Sequence, residues 1–303
     1  MSKYHISRRL QFIIQYVNDR NYASKDQLVE FLNSKDFDIS ERTLERDMSK
    51  IRADFGIELG YSKQHNGYFI DKDRSVKVES FFKFLELVTL ADVFSDGLKD
   101  NHKVLDYVIF DDSSKLKGIE NLETILIAIK QDRVLEFTHY NYYKNTKTAY
   151  SITPLVLKEY LNRWYVIGLP DGKSEIRTFG IDRLLEMKLS ELTKLNKLKY
   201  LKQIAKFDNI IGLNYSKNEP ENIIIKVTNN HLKYLESLPL HASQKTIEMN
   251  KDFSYVSYDL IPNYEFIIEI LKMSIEVEVI EPLWFREKIK QKVSAIYNKY
   301  NNA

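Results

Sequence analysis

The sequence predicts a multidomain α+β protein, on three observations. Apolar residues recur at helical spacing over the first 55 positions and then alternate from Ile57 to Ile70. The stretch Val134 to Leu189 alternates almost throughout, as short strands do. The last third interleaves strand and helix periods in the order βαββαβ. At 303 residues the chain is long enough for two or three separate cores.

Leu10, Ile13, Ile14 and Val17 make one amphipathic helix of Ser7 to Asn18. Ser24 caps a second helix, with Gln27 completing a capping box and Leu28, Phe31 and Leu32 as its buried stripe. After the polar loop Asn33 to Asp38, Ser40 caps a third helix, Glu41 to about Phe55. Ile57, Leu59 and Tyr61 alternate, Gln64 to Gly67 turn, and Tyr68 to Ile70 return as a hairpin. A hairpin directly behind three short helices is a wing, so residues 1–74 read as a winged helix-turn-helix. Residues 76–99 return to helical spacing, with Phe81, Phe82, Phe84, Leu85, Leu87, Val88 and Leu90 covering most of the circumference. Such a helix needs cover from another domain or another subunit, and 75–118 is the expected helical linker.

A helix from about Ile119 to Gln131 leads into strands at Val134 to Tyr140, Ala149 to Lys158, Arg163 to Leu169, Ile176 to Ile181 and Leu184 to Leu189. So many short strands so closely spaced predict a small β-barrel over 119–192. Pro170, Asp171 and Gly172 form the turn between its third and fourth strands. Lys194 to Lys206 reads as helix, and 193–219 as helix and linker. Residues 220–303, in βαββαβ order, predict a ferredoxin-like domain.

The absence of cysteine excludes disulfides, thiolate zinc sites, iron–sulfur clusters and a cysteine nucleophile, and suits a reducing cytoplasm. No apolar run approaches the roughly 18 residues of a membrane helix, and Met1 to Ile6 lacks a signal-peptide character, so the expected location is the cytoplasm with no membrane partner. No phosphate-cradling Gly-rich loop, His-Glu-x-x-His motif or Gly-x-Ser-x-Gly elbow is present, and the six histidines are scattered. Asp111 and Asp112 sit in an Asp-Asp-Ser-Ser stretch that reads as a solvent turn. The expectation is a non-enzyme with no cofactor, no metal and no catalytic residue.

The net charge of +2 is nearly neutral, so affinity for nucleic acid has to come from local clusters of Lys and Arg. In the third helix Leu44, Met48, Ile51 and Phe55 fall on one side. At about 100° per residue, Arg42, Arg46 and Lys50 lie within roughly 80° of one another on the opposite side, with Ser49 and Ala53 beside them. A helix presenting such a face fits the major groove, where Arg forks meet guanine edges or phosphates. Arg42, Thr43 and Arg46 are the candidate base readers, with Ser49 and Lys50 beside them; Lys50, Lys63 and His65 are candidate phosphate contacts, the last two from the hairpin tip. The competing reading is a solvated face neutralised by Glu41, Glu45, Asp47 and Asp54.

In the barrel segment, Pro154, Arg163 and the triplet Trp164-Tyr165-Val166 are followed by the Arg-x-Phe-x-x-Asp-Arg pattern of Arg177, Phe179, Asp182 and Arg183. Here the sequence resembles the WYL domain family. The resemblance implies an Sm-like or SH3-like barrel, usually behind a winged helix and ahead of a ferredoxin-like extension, with an effector pocket on the barrel. Three positions depart from the pattern: Val166 replaces the Leu of the name, Leu155 follows Pro154 where an aromatic is frequent, and His139 stands where the family often has Tyr. In a strand, Arg177 and Phe179 share a face. Together with Arg183, Trp164 and Tyr165 they suit a nucleotide, phosphate or short nucleic acid. The candidate effector-binding residues are therefore His139, Arg163, Trp164, Tyr165, Arg177, Phe179 and Arg183. The competing reading makes Trp164 and Phe179 barrel core, pairs Arg183 with Asp182 or a carbonyl, and leaves His139 merely structural.

These readings converge on a transcription regulator that binds double-stranded operator DNA as a homodimer and responds to an anionic small-molecule or nucleic-acid effector. Ligand binding is expected to change the fit of the two winged helices to half-site spacing, and the helix Phe81 to Leu90 is one candidate dimer contact. The alternative is a nucleic-acid-binding accessory subunit of a defence or DNA-repair complex.

Overall fold

The computed structural model describes residues 3–75, 78, 81–88, 117–215 and 218–301. Leu90, Asp111 and Asp112, and most of the expected linker 75–118, lie outside the described residues. The chain divides into two compact units, residues 1–111 and 112–303. The fold is mixed α and β with several antiparallel sheets.

The first unit contains α1 (Lys3–Arg20), α2 (Lys25–Asn33), α3 (Glu41–Phe55) and a hairpin of β1 (Leu59–Ser62) and β2 (Gly67–Ile70). Each boundary has a local cause. Ser24 accepts from the Gln27 N–H while the Gln27 side chain accepts from the Ser24 N–H, so two orphan donors are satisfied at the start of α2. Ser40 caps α3 by accepting from the Thr43 N–H, and Gly56, at φ 65°, ends it in the left-handed region. Ala23, between α1 and α2, exchanges backbone hydrogen bonds with Tyr68 and so ties the hairpin to the helices. Leu10, Ile13, Ile14 and Val17 meet Leu28, Leu32, Leu44 and Ile51 in one core. Val78, Phe81 and Leu85 are buried in that same core, with the Phe55 and Phe81 rings 4.6 Å apart. Much of the cover that the apolar helix needs is thus supplied within its own unit; Phe84 and Leu87 remain exposed.

α3 corrects one expectation. Asp47 does not belong to a solvated face: it is 2% exposed and paired with Arg9, also 2% exposed, through contacts of 2.5 and 3.0 Å. The bidentate geometry is what makes burying both charges tolerable.

The second unit begins with α4 (Leu122–Lys130) and continues through β3 (Arg133–Asn141), β4 (Thr146–Tyr160), β5 (Arg163–Pro170), β6 (Arg177–Gly180), a 3₁₀ turn (Ile181–Arg183) and β7 (Leu184–Leu192). All ladders are antiparallel, in the order β6-β5-β4-β3-β7. The two edge strands place Phe179 and Leu184 in the same core as Phe137, Ile152 and Val166, so the sheet must roll around it, and α4 closes that core with Ile125 and Ala128. Register shifts in the β3–β7 and β4–β5 ladders supply local bends. Among the described residues β6 and β7 share no ladder; the 181–183 turn joins them.

Residues 197–209 form two 3₁₀ turns flanking α5 (Leu201–Ala205) instead of one helix. Phe207 and Ile210 share a buried cluster with Ile167 of β5, with Ile176 directly before β6 and with Ile261 beyond the sheet. This segment is packed structure, not a free linker, which is why 112–303 forms a single unit. The chain then runs β8 (Glu221–Thr228), α6 (Asn229–Ser237), β9 (Lys245–Met249), β10 (Phe253–Leu260), α7 (Tyr264–Lys272), β11 (Val277–Glu281) and α8 (Leu283–Asn301). The sheet order is β11-β8-β10-β9, all antiparallel. Ile223, Ile225 and Val227 alternate inward from β8 against Leu232 and Leu235 of α6 and Phe266, Ile267 and Ile270 of α7. α8 anchors through Phe285, after which Val293, Ile296, Tyr297 and Tyr300 are all exposed.

Candidate functional site

Two sets of side chains stand out, one in each unit. On α3, Arg42 and Arg46 are exposed, and among the described residues neither has an ion-pair partner. Their neighbours are neutralised: Lys50 lies 4.0 Å from Asp54, Arg52 2.7 Å from Glu58, and Glu45 is taken by Lys25 of α2. Lys25 is held above its ordinary pKa, and Glu45 below its own, chiefly by their mutual hydrogen bond. Of the four carboxylates that sequence reasoning set against the basic face, Asp47 is turned to the core and Glu45 to α2, whereas Asp54 stays on the face beside Lys50 and Glu41 is exposed. Thr43 is half-buried at the capped end of α3, and the Ser49 hydroxyl donates to the Glu45 carbonyl at 2.9 Å. Lys63 and His65 are exposed in the turn of the hairpin, and the His65 ring stacks on Tyr22 with centroids 4.1 Å apart.

In the second unit, the turn 181–183 gathers a charged cluster. Asp182 lies 3.6 Å from Arg183 and 3.9 Å from Arg163. Gly118 and the Asn121 side chain hold this turn. Asn121 donates to the Ile181 carbonyl at 3.1 Å, and a Cβ on Gly118 would come within 2.7 Å of Asp182 backbone. The Arg183 guanidinium crosses Gly180, where an added Cβ would stand 2.7 Å from Nη2, and sits over the ring of Tyr142 at 5.1 Å. His139 pairs with Leu184 across the β3–β7 ladder, which sets it beside Arg183, and its ring meets Phe179 at 5.5 Å and Tyr150 at 6.2 Å.

Three buried side-chain polar atoms lack a hydrogen-bond partner among the described residues, and two of them, His139 Nε2 and Arg183 Nε, belong to this cluster. An orphaned buried polar group costs about 1–3 kcal/mol, so these two nitrogens leave hydrogen-bonding capacity unused beside the turn. Burial, and then the nearby Arg183 charge, push the His139 pKa down, with Asp182 opposing. Burial likewise raises the Tyr165 phenol. The cluster can present guanidinium and imidazole N–H donors to an anion, with Tyr142 as an aromatic surface.

The structure does not bring all seven expected effector residues together. Phe179 is 3% exposed and packs among Phe137, His139 and Tyr150, so it is core and not a pocket wall. Arg177, two residues before it, is exposed at the start of β6 opposite Gly168, so the expected guanidinium-on-ring pair is not formed. Trp164 packs against the sheet core, whereas Arg163 and Tyr165 alternate to the other face. Sequence reasoning missed Tyr142 and Gly180. Tyr142 lies in a turn outside any motif, and Gly180 has no side chain to signal a role. A cavity of about 480 Å³ lined by Val134, Glu136 and residues 151–153, 169–173 and 190–195 contains none of the expected residues. Among the described residues no group of three His, Asp or Glu side chains is placed to hold a metal. No described helix is long and apolar enough to cross a membrane.

The sheet built from β3 to β7 with its covering helix defines a known class: the family model described as "WYL domain" matches residues 120–189, and the chain carries that domain. Two solved structures that the chain resembles are proteasome accessory factor B/C (PafBC) of Arthrobacter aurescens and a CRISPR Cas-related protein. The first is 16% identical with a TM-score of 0.33 over 100% of this chain and 48% of that one, so this chain spans about half its length. The second is 16% identical with a TM-score of 0.41 over 97% of this chain and 84% of that one. No curated protein matches the chain.

Proposed function

We propose that this protein is a DNA-binding transcription regulator whose operator binding is modulated by an anionic effector held in the WYL domain, and that it acts by binding, not by catalysis. The observation that carries the reading is the face of α3: Arg42 and Arg46 are exposed and, among the described residues, have no carboxylate partner, while Glu45, Asp47 and Asp54 are engaged by Lys25, Arg9 and Lys50. In this reading residues 1–74 are a winged helix-turn-helix, α3 enters the major groove, and the Lys63–His65 turn meets the backbone. The rolled sheet is an Sm-like barrel and residues 220–303 a ferredoxin-like extension. The protein is a cytoplasmic homodimer on an inverted repeat, because one winged helix buries little surface and operators mirror protein symmetry. The exposed side chains Phe84 and Leu87, or the exposed stripe of α8, supply the dimer contact.

The effector class is supported by the Arg163–Asp182–Arg183 cluster and its two orphaned buried nitrogens. Selection of bound fragments from a random DNA pool tests the whole reading. An inverted repeat enriched by the native chain and not by Arg46→Ala is the expected result; no enrichment would refute it. A second reading, an accessory subunit of a nucleic-acid-processing complex, draws on the exposed α8 stripe of Val293, Ile296, Tyr297 and Tyr300. Stoichiometric capture of a protein partner, with no enriched DNA, would favour it.

A further inference from the structure

We propose that His139 and Arg183 together grip one anionic oxygen group of the effector, and that His139 takes up a proton as that group docks, so the site holds its ligand more tightly in acid. This rests on the effector reading above and specifies its regulation.

Four observations carry it. Among the described residues His139 Nε2 and Arg183 Nε are both buried without a hydrogen-bond partner, so each side chain has hydrogen-bonding capacity to offer. Two independent constraints put them together: the β3–β7 ladder sets His139 opposite Leu184, next in the chain to Arg183, and Gly180 leaves the room across which the guanidinium lies. Asp182 is an incomplete partner for Arg183, at 3.6 Å from Nε and shared with Arg163. Finally, among the described residues Asp182 is the carboxylate whose charge acts on His139. Around the ring are Tyr150 of β4, Phe179 of β6, and Asp182 and Arg183 of the turn, with Tyr142 against the guanidinium and Arg163 and Tyr165 of β5 near Asp182.

The electrostatics then fix the sign. In the empty site, burial and the Arg183 charge disfavour the imidazolium, so His139 is neutral at neutral pH. An anion placed against both groups cancels the Arg183 repulsion and gives the imidazolium a counter-charge, so the pKa of the bound form rises. Affinity is then full below the free-site pKa and falls as pH rises through the bound-site pKa. A tyrosine in its place would carry no such charge change in this range.

The test uses the full-length chain and inorganic sulfate, an anion that does not itself titrate in the range examined. Isotope-labelled histidine NMR follows the His139 ring through a pH titration with and without saturating sulfate, and calorimetry gives sulfate affinity and net proton uptake. The expected result is a His139 pKa about one unit higher with sulfate, and sulfate bound several-fold more tightly at about pH 5.5 than at about pH 8, with proton uptake to match. His139→Gln should bind sulfate with a flat pH profile and no proton uptake, while Arg183→Gln should lose binding. Should sulfate bind equally at both pH values with the native His139 titration unmoved, proton coupling is wrong and the effector site survives. Should sulfate and short phosphodiesters both fail to bind the native chain at any pH, the effector reading falls as well. The native-chain NMR needs no variant, so a variant that misfolds does not rescue the idea.

Discussion

Arg183 is held from three sides, and each contact reveals something different about its role. Asp182 offsets its charge, Tyr142 stacks beneath it, and Gly180 gives it space. Gly180 has an ordinary φ of −66°, so glycine is needed there for room and not for backbone freedom. Gly180→Ala should therefore displace a flexible side-chain end at little cost in stability. We predict a several-fold loss of sulfate affinity by calorimetry with a melting temperature close to native; unchanged affinity would mean that the guanidinium does not bind where it crosses Gly180. On α3, Arg46→Ala should weaken operator binding by about 1–3 kcal/mol if Arg46 reads a base, and relax specificity at one position of the enriched site. Loss spread uniformly over all sequences would reassign it to phosphate. Arg177→Ala, by contrast, should leave sulfate binding unchanged, because Arg177 stands apart from the cluster.

At the scale of elements, the buried Arg9–Asp47 pair joins α1 to α3, the helix that carries the outward arginines. Removing one partner strands the other charge inside the core. Asp47→Ala should cost about 3–5 kcal/mol, read as a lower denaturation midpoint of the first unit; a cost under about 1 kcal/mol would show that Arg9 re-solvates freely. The β4–β5 turn offers the opposite case. Leu161 and Asn162 both have positive φ, at 50° and 58°, as a tight two-residue hairpin turn requires, but leucine is poorly suited to that region and its side chain is exposed. Leu161→Asn should stabilise the second unit by about 1 kcal/mol in chemical denaturation.

At the scale of the molecule, each unit contains its own core: that of the first joins residues 10–85, and those of the second join residues 122–285. Calorimetry should resolve two unfolding transitions, with Asp47→Ala lowering only one and Leu161→Asn raising only the other; a single transition shifted by both would mean that the units unfold cooperatively. Within the second unit, by contrast, the cluster of Ile167, Ile176, Phe207, Ile210 and Ile261 joins the rolled sheet to the 3₁₀ turn at Phe207 and to Ile261, directly after β10. The WYL sheet and the C-terminal sheet should therefore melt together.

The sequence alone determined most of the described elements and their order, because hydrophobic period is a local property; the segment 197–209, expected as one helix, is the exception. Leu10 to Val17, the Ser24 and Ser40 caps and the alternation in β3, β4 and β5 each depend on residues a few positions apart, and their strands and helices stand within a few residues of where they were expected. It also located the turn of Asp182 and Arg183 through a motif. What it left undetermined depends on contacts between distant positions. Asp47 and Arg9 each flank an apolar stripe, about 40° from Ile51 and Ile13 on a helical wheel, but only the packing of α1 on α3 turns two flanking charges into a buried pair. Arg177 and Phe179 share a strand face, and only the roll of the sheet makes one exposed and the other core. The partners of His139, and the two nitrogens left without any, were decided by the tertiary structure, since burial and orphaned donors are properties of a packed neighbourhood and not of a segment.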